Sequence, residues 1–127
     1  MFGIFKNKKE HPAFDTLNNF NKKDFYFIRV TPWDWLNKEI ITVFDPHNSR
    51  VFTLDAWPQY IFIAANGQMT VQEYVYYMAD KYKGKIPDEL DQTIIDELLT
   101  LIDYRVIEFS DHKQRPKPEF ELPKREK

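Results

Sequence analysis

The sequence predicts an α+β fold in which a three-helix cluster packs on a small antiparallel β-sheet. Two patterns support this fold class: a hairpin pattern over residues 40–54 and three punctuated helical patterns between residues 55 and 104. The 127 residues include 11 Phe, 7 Tyr and 3 Trp. Because each such ring can bury roughly 150–250 Å², the chain has enough apolar material for a domain core.

The first forty residues carry shorter patterns. Phe14, Leu17 and Phe20 recur at three-residue spacing, which predicts a short amphipathic helix. Phe25–Val30 is rich in aromatic and β-branched residues and predicts a strand. Pro32–Asn37 is interpreted as a turn or a single helical loop, whose two Trp side chains pack onto the domain.

The hairpin is the clearest local pattern. Ile40–Phe44 and Val51–Leu54 are both runs of residues that favour strands. Between them lies Asp45-Pro46-His47-Asn48-Ser49, which is dense in turn-forming residues because proline presets its φ angle and Asp or Asn can bond the local backbone.

Each of the three following helices has recognisable ends. Asp55 is placed as the N-cap of a helix that runs to about Ala65 and is apolar nearly all round, and Asn66-Gly67 provides the stop. Thr70 and Glu73 form a capping-box pattern that opens the second helix. The third helix is predicted over Asp88–Tyr104, and a short final strand over Val106–Phe109.

The chain is predicted to contain one globular domain, over residues 13–110. Residues 1–12 are expected to form a flexible basic lead. Residues 111–127 are rich in Pro, Lys and Arg and are expected to form a solvated, extended tail. The sequence has no cysteine, no long apolar run and no signal-peptide pattern, so a cytoplasmic location without a membrane span is predicted.

No pattern of catalytic, metal-binding or cofactor-binding residues is found. The histidines, at positions 11, 47 and 112, lack the spacing of metal ligands. Ser49 and Ser110 do not lie in a nucleophile motif, and no glycine-rich phosphate loop is present. The prediction is therefore a binding domain with no catalytic residues, no metal ligands and no cofactor.

The charge pattern argues against specific binding of duplex DNA. The net charge of the chain is −2. Asp88–Tyr104 carries six acidic residues and no Lys or Arg, so this helix would be repelled by the phosphates of a major groove. A winged-helix nucleic-acid binder therefore stands as an alternative hypothesis, beside a structural subunit of a larger assembly whose exposed aromatic residues are covered by its partner.

Residues 40–109 resemble the PqqD-like family, which is named for pyrroloquinoline quinone biosynthesis. The resemblance is carried by motifs at the first helix cap, at the ends of the helices and along the third helix: Val51-Phe52-Thr53-Leu54-Asp55, Asn66-Gly67, Thr70-Val71-Gln72-Glu73-Tyr74-Val75, and Asp91 followed by Leu98-Leu99 and Leu101-Ile102. Tyr104-Arg105-Val106-Ile107 departs from the family's pattern because it lacks a glycine.

The resemblance implies a small winged-helix-like fold that recognises a peptide or protein, such as a precursor peptide bound for its modifying enzyme. In that family the peptide adds as a strand to a sheet edge beside the third helix. Carried over to this sequence, the resemblance implies these peptide-binding residues: Val51, Thr53, Ile95, Asp96, Leu99, Ile102 and Asp103. Asp96 and Asp103 would lie at the rim of the groove.

Overall fold

Residues 10–126 are described by a computed structural model, and they form six strands and five α-helices. The strands are β1 (Tyr26–Arg29), β2 (Trp33–Trp35), β3 (Ile41–Asp45), β4 (Arg50–Thr53), β5 (Asn66–Thr70) and β6 (Ile107–Ser110). The helices are α1 (Asp15–Asn18), α2 (Ala56–Ala64), α3 (Val71–Ala79), α4 (Leu90–Asp103) and α5 (Pro118–Glu121), followed by a 3₁₀ turn over Lys124–Glu126. The predicted α+β class is confirmed. Most of the predicted flexible lead, residues 1–9, lies outside the described residues.

The strands form two antiparallel three-stranded sheets, so the expectation of a single sheet is wrong. One sheet has the order β5-β1-β6 and the other has the order β2-β3-β4. The predicted turn or helical loop at Pro32–Asn37 is instead strand β2, whose Trp33 and Trp35 pair with Val43 and Ile41 of β3. Asn37 closes this hairpin, because its side-chain oxygen accepts hydrogen bonds from the backbone of residues 39 and 40.

Strand β5 is the second element that the sequence did not predict. Asn66-Gly67 does follow a helix, and Gly67 has the left-handed φ of 75° expected of a stop. The chain then continues as a strand that pairs with β1, with an irregular register between Tyr26 and Ile28. A Cβ at position 67 would lie 1.7 Å from the carbonyl oxygen of Gln114, so glycine is also required by the close approach of another segment.

The core is formed mainly by the apolar stripe of α4 and by residues of α2, α3 and both sheets. In α4 the apolar stripe consists of the buried residues Leu90, Ile94, Ile95, Leu98 and Leu101. The largest buried side chains around it include Phe14, Leu17, Phe27, Ile41, Phe62 and Tyr74. Helix α2 is less enclosed than its composition predicted, because the Tyr60 side chain is 51% exposed.

The predicted helix starts differ in their hydrogen bonding. The capping box at α3 is confirmed: Glu73 N–H donates to Thr70 Oγ1, and Thr70 N–H donates to the Glu73 carboxylate. Asp55 does occupy the N-cap position of α2, but its side chain makes no capping hydrogen bond. Asp91, one of the six acids that were expected to repel phosphates, is buried and accepts a hydrogen bond from Leu17 N–H at 2.9 Å.

Gln59 fixes α2 against the second sheet. Its side-chain oxygen accepts from Ile41 N–H at 3.0 Å, and its side-chain nitrogen donates to the Glu39 carbonyl at 2.7 Å. Both halves of the amide are therefore used at the start of β3. This contact sets the position of the β3–β4 hairpin relative to the helices.

The segment after β6 folds back onto the domain, which corrects the expectation of a solvated, extended tail. Gln114 N–H donates to the Gly67 carbonyl, which lies on the β5 edge. Trp33 Nε1 donates to the Phe120 carbonyl at 2.9 Å, and Arg125 forms an ion pair with Asp34. Composition predicted the exposure of the charged side chains but could not reveal these main-chain contacts.

Arg29 forms hydrogen bonds that attach this C-terminal segment to the domain. Its guanidinium is buried and donates to four main-chain carbonyls, those of Phe62, Ile63, Phe120 and Glu121, at 2.6–3.2 Å. Burial lowers the pKa of Arg29 to about 10, opposed by the nearby Glu121 carboxylate. The guanidinium thus joins the end of α2 to the C-terminal segment.

Candidate functional site

The candidate site is the free edge of β4. In the sheet order β2-β3-β4, no strand of residues 10–126 pairs with the other side of β4. Phe44 N–H donates to the Pro32 carbonyl on the β2 side. Since backbone groups alternate in direction along a strand, Val43 and Asp45 face β4 and bond their partners Phe52 and Arg50.

The same alternation directs the backbone of Val51 and Thr53 toward the open edge. Their N–H and C=O groups are the ones that an added strand would meet. Val51 is 63% exposed and Thr53 is also exposed. Two of the predicted peptide-binding residues therefore lie on an unpaired sheet edge.

The side chains of β4 divide between the two faces of the sheet. Val51 and Thr53 lie opposite Phe44 and Thr42 on the outer face. Phe52 lies opposite the buried Val43 on the inner face, which packs toward the helices. The predicted arrangement, with Val51 and Thr53 facing α4 across a groove, is therefore not the one observed.

The predicted residues of α4 also divide into two groups. Ile95 is only 3% exposed and belongs to the core. Asp96, Leu99 and Asp103 are exposed, and Ile102 is half-buried against the core. Because residues three or four apart share a helix face, Asp96, Leu99 and Asp103 form one solvent-facing stripe.

The contact between β4 and the end of α4 is made by residues that the sequence did not single out. The ring of Phe52 packs edge-on against the ring of Tyr104, with centroids 5.8 Å apart. Tyr104 is half exposed and follows Asp103 directly. The alternation of β4 could have indicated Phe52, because it separates this ring from its exposed neighbours Val51 and Thr53.

An open groove of about 400 Å³ lies on the outer face of the second sheet. It is called the outer groove below, and it is lined by residues of β2, β3 and β4 and by the C-terminal segment: Pro32, Trp33, Asp34, Phe44, Val51 and Lys124. Its wall at Val51 is continuous with the β4 edge. A strand added there could place a side chain toward this groove.

The turn at the tip of the hairpin is organised by Asp45. Its carboxylate accepts hydrogen bonds from His47 N–H, from the backbone and side chain of Asn48, and from Arg50. These bonds, led by that from the Asn48 side chain, lower the pKa of Asp45 to about 2 against a smaller opposing effect of burial. The turn that joins β3 to β4 is therefore ordered by a charged network.

A serine and a histidine lie near each other at the end of β6, but their contacts do not suit nucleophilic catalysis. Ser110 Oγ donates to the main-chain carbonyl of His112, and the His112 ring contacts Asp111. A histidine base would need to accept the serine proton at a ring nitrogen. Within residues 10–126, no cluster of three or more His, Asp or Glu side chains is arranged to hold a metal ion.

The described part of the chain contains no helix that is long and apolar enough to cross a membrane. Comparison of the sequence and structure with family models, with curated proteins and with solved structures finds no match.

Proposed function

We propose that this chain is a non-catalytic docking module that binds an extended peptide, or an extended segment of a protein, at the free edge of β4. The observation that carries the proposal is the outward direction of the Val51 and Thr53 backbone groups. In β-augmentation, such main-chain groups provide affinity, and pockets for alternate side chains provide selectivity.

The outer groove supplies a pocket of that kind. It begins at Val51 and continues past Phe44 toward Pro32 and Asp34, so an apolar side chain of the added strand would have the Phe44 ring to contact. The added strand itself would extend the sheet to the order β2-β3-β4-peptide. Selectivity would then depend on the residue that enters the outer groove.

The resemblance to the PqqD-like family agrees with this mode of binding. We propose that the β3–β4 hairpin with α2, α3 and α4 acts as a winged-helix-like unit in the cytoplasm, and that its partner is a precursor peptide delivered to a modifying enzyme. The charge of α4 adds a preference. Asp96 and Asp103 are exposed on this helix, so a partner with Lys or Arg beside its apolar anchors would be favoured.

The test is peptide selection followed by mapping of the bound surface. Peptides selected from a random linear library would be added to ¹⁵N-labelled protein, and the amide shifts of Val51 and Thr53 are expected to change most. Val51→Pro removes an outward N–H without removing a β3–β4 hydrogen bond. It should weaken binding about tenfold, the loss expected for one main-chain hydrogen bond.

Val51→Thr is the matched control, because it keeps both the N–H and the β-branched shape. It should bind within about twofold of the parent chain. Circular dichroism of all three proteins checks that the hairpin is folded. Two results would contradict the proposal. One is a set of amide shifts centred on Trp33–Trp35 or on residues 111–126, and the other is binding by the Val51→Pro protein equal to that of the parent chain.

A further inference from the structure

A second groove, of about 510 Å³, lies between α2, β5 and α3. It is called the tyrosine groove below, and its lining includes Tyr60, Ile63, Met69, Tyr74, Tyr77 and Lys81. It shares no lining residue with the outer groove. Its volume falls in the range typical of small-molecule sites, and its lining is mostly apolar with a few polar atoms.

Tyr74 lines the tyrosine groove and carries a buried hydroxyl. Its side chain is 2% exposed, and its hydroxyl is buried without a hydrogen-bond partner among the described residues. Buried polar groups are nearly always satisfied, and no described protein group competes for this hydroxyl, so it can donate to an acceptor that reaches it. Burial raises the pKa of Tyr74, and the neighbouring Tyr77 and Tyr60 raise it further; the hydroxyl therefore stays protonated and can donate.

Lys81 supplies the positive charge of the groove. Its ammonium lies 4.5 Å from the centroid of the Tyr77 ring. The ion pairs found among residues 10–126 do not include Lys81. A ligand with a negative charge would therefore be attracted to this end of the groove.

The remaining surface favours an aromatic ring. Tyr60 and Tyr77 are each about half exposed, at 51% and 48%, so their faces or edges are available for ring contacts. Met69 and Met78 also line the groove, and thioether sulfur contacts aromatic rings favourably.

We propose that the tyrosine groove binds a small aromatic monocarboxylate. The ring lies among the exposed tyrosines and the methionines. The carboxylate offers an acceptor to the Tyr74 hydroxyl and a negative charge to Lys81. This site is separate from the β4 edge, and its test does not depend on peptide binding there.

The test is a titration of the full chain with 3-phenylpropionate, followed by amide shifts. Saturable changes are expected at residues 60, 69 and 77. The Trp57 indole should also respond, because its ring lies 6.1 Å from that of Tyr60. The neutral 3-phenylpropionamide should bind about threefold more weakly, the loss expected when an exposed ion pair is removed. An absence of saturation at about 10 mM, a weak limit even for a small ligand, would overturn the proposal.

Two substitutions test the named groups. Tyr74→Phe removes the hydroxyl and should weaken 3-phenylpropionate binding about fivefold. The fold should persist, since that hydroxyl has no partner to lose. Lys81→Met should weaken carboxylate binding about threefold and leave binding of the amide unchanged.

Tyr76→Phe is the matched control on the same helix. The Tyr76 ring packs against Phe14 and His11 rather than lining the groove, so this variant should bind 3-phenylpropionate like the parent chain. Equal binding by the Tyr74→Phe and Tyr76→Phe proteins would overturn the role of the Tyr74 hydroxyl. Circular dichroism verifies that each variant is folded.

Discussion

Asp45 shows how one residue can order the hairpin on which the proposed peptide edge depends. Its carboxylate receives hydrogen bonds from the turn that follows β3 and from the first residue of β4. The sequence predicted that Asp45 would bond the local backbone of the turn. It did not predict the contact with Arg50, because side-chain reach across a turn depends on the folded backbone.

The pH dependence of unfolding should report this network. The pKa of Asp45 is lowered from an ordinary 3.8 to about 2, so its carboxylate stabilises the fold above about pH 4 and this contribution is lost as the pH falls to about 2. The free energy of unfolding, measured with denaturant between pH 6 and pH 2, should therefore fall more steeply in the parent chain than in Asp45→Asn. The two proteins should converge near pH 2.

Asn48→Ala provides the control, because it removes the hydrogen bond that lowers the Asp45 pKa most. In this variant the Asp45 carboxyl, followed by NMR, should titrate closer to its ordinary value. Titration of Asp45 near pH 4 in the parent chain would contradict the network.

Buried polar residues mark a limit of prediction from sequence at this scale. Asp91 was counted among the acids that would repel phosphates, yet it accepts the Leu17 amide hydrogen bond in the interior. Tyr74 lies in the predicted second helix, but nothing in the sequence indicated an unpartnered hydroxyl. Both features depend on which atom of another segment packs nearby.

At the scale of elements, α4 combines a buried apolar stripe with an exposed acidic stripe. Six acids over residues 88–104 were predicted to oppose DNA binding. Two of them precede α4 and Asp91 is buried, so three remain outside the core on the helix itself. Within this stripe Asp103 is the acid nearest to β4, because the following residue, Tyr104, contacts Phe52. Asp96 lies about two turns away along the helix.

Charge reversal on α4 should therefore have a graded effect on the proposed peptide binding. Asp103→Lys should slow association of a selected Lys- or Arg-containing peptide by about three- to tenfold at low salt, and Asp96→Lys should slow it less, since exposed charges act mainly on the association rate. Stopped-flow measurements at two salt concentrations would check the order. If both substitutions slowed association equally, or if their effects did not change with salt concentration, the result would count against a partner that passes beside Asp103.

Elements with strong local patterns were predicted well, whereas two strands were not. The hairpin of β3 and β4, the capping box of α3 and the stripe of α4 all follow from residue spacing. Strand β5 begins with Asn66-Gly67, residues that favour turns, and forms because β1 offers a pairing edge. Strand β2 has three residues, too few to show an alternating pattern.

At the scale of the whole molecule, the C-terminal segment is part of the fold. It passes over Gly67 and ends beside Trp33 and Asp34. The sequence predicted a solvated, extended tail over residues 111–127, but these contacts lead us to expect slow proteolytic cleavage between residues 111 and 123. Composition alone could not indicate this, because the contacts use carbonyl groups that every residue carries.

Substitution of Arg29 should loosen this segment. Arg29→Met removes four hydrogen bonds to carbonyls and should lower the free energy of unfolding by about 2–4 kcal/mol. Hydrogen exchange at the amides of Phe120 and Glu121 should accelerate. Arg125→Met, which removes an exposed ion pair with Asp34, is the control and should change stability by less than about 1 kcal/mol. Equal stability of the two variants would show that Arg29 does not hold the segment.

The hydrogen bonds of Arg29 also bear on how freely this end of the chain can vary in evolution. Every acceptor that Arg29 uses is a main-chain oxygen, and Trp33 likewise bonds the Phe120 carbonyl. These hydrogen bonds therefore do not depend on the side chain at position 120, as long as the backbone follows the same path, whereas the Glu121 carboxylate adds its own charge beside Arg29. Related chains should keep Arg29 and Trp33 while the residue at position 120 diverges.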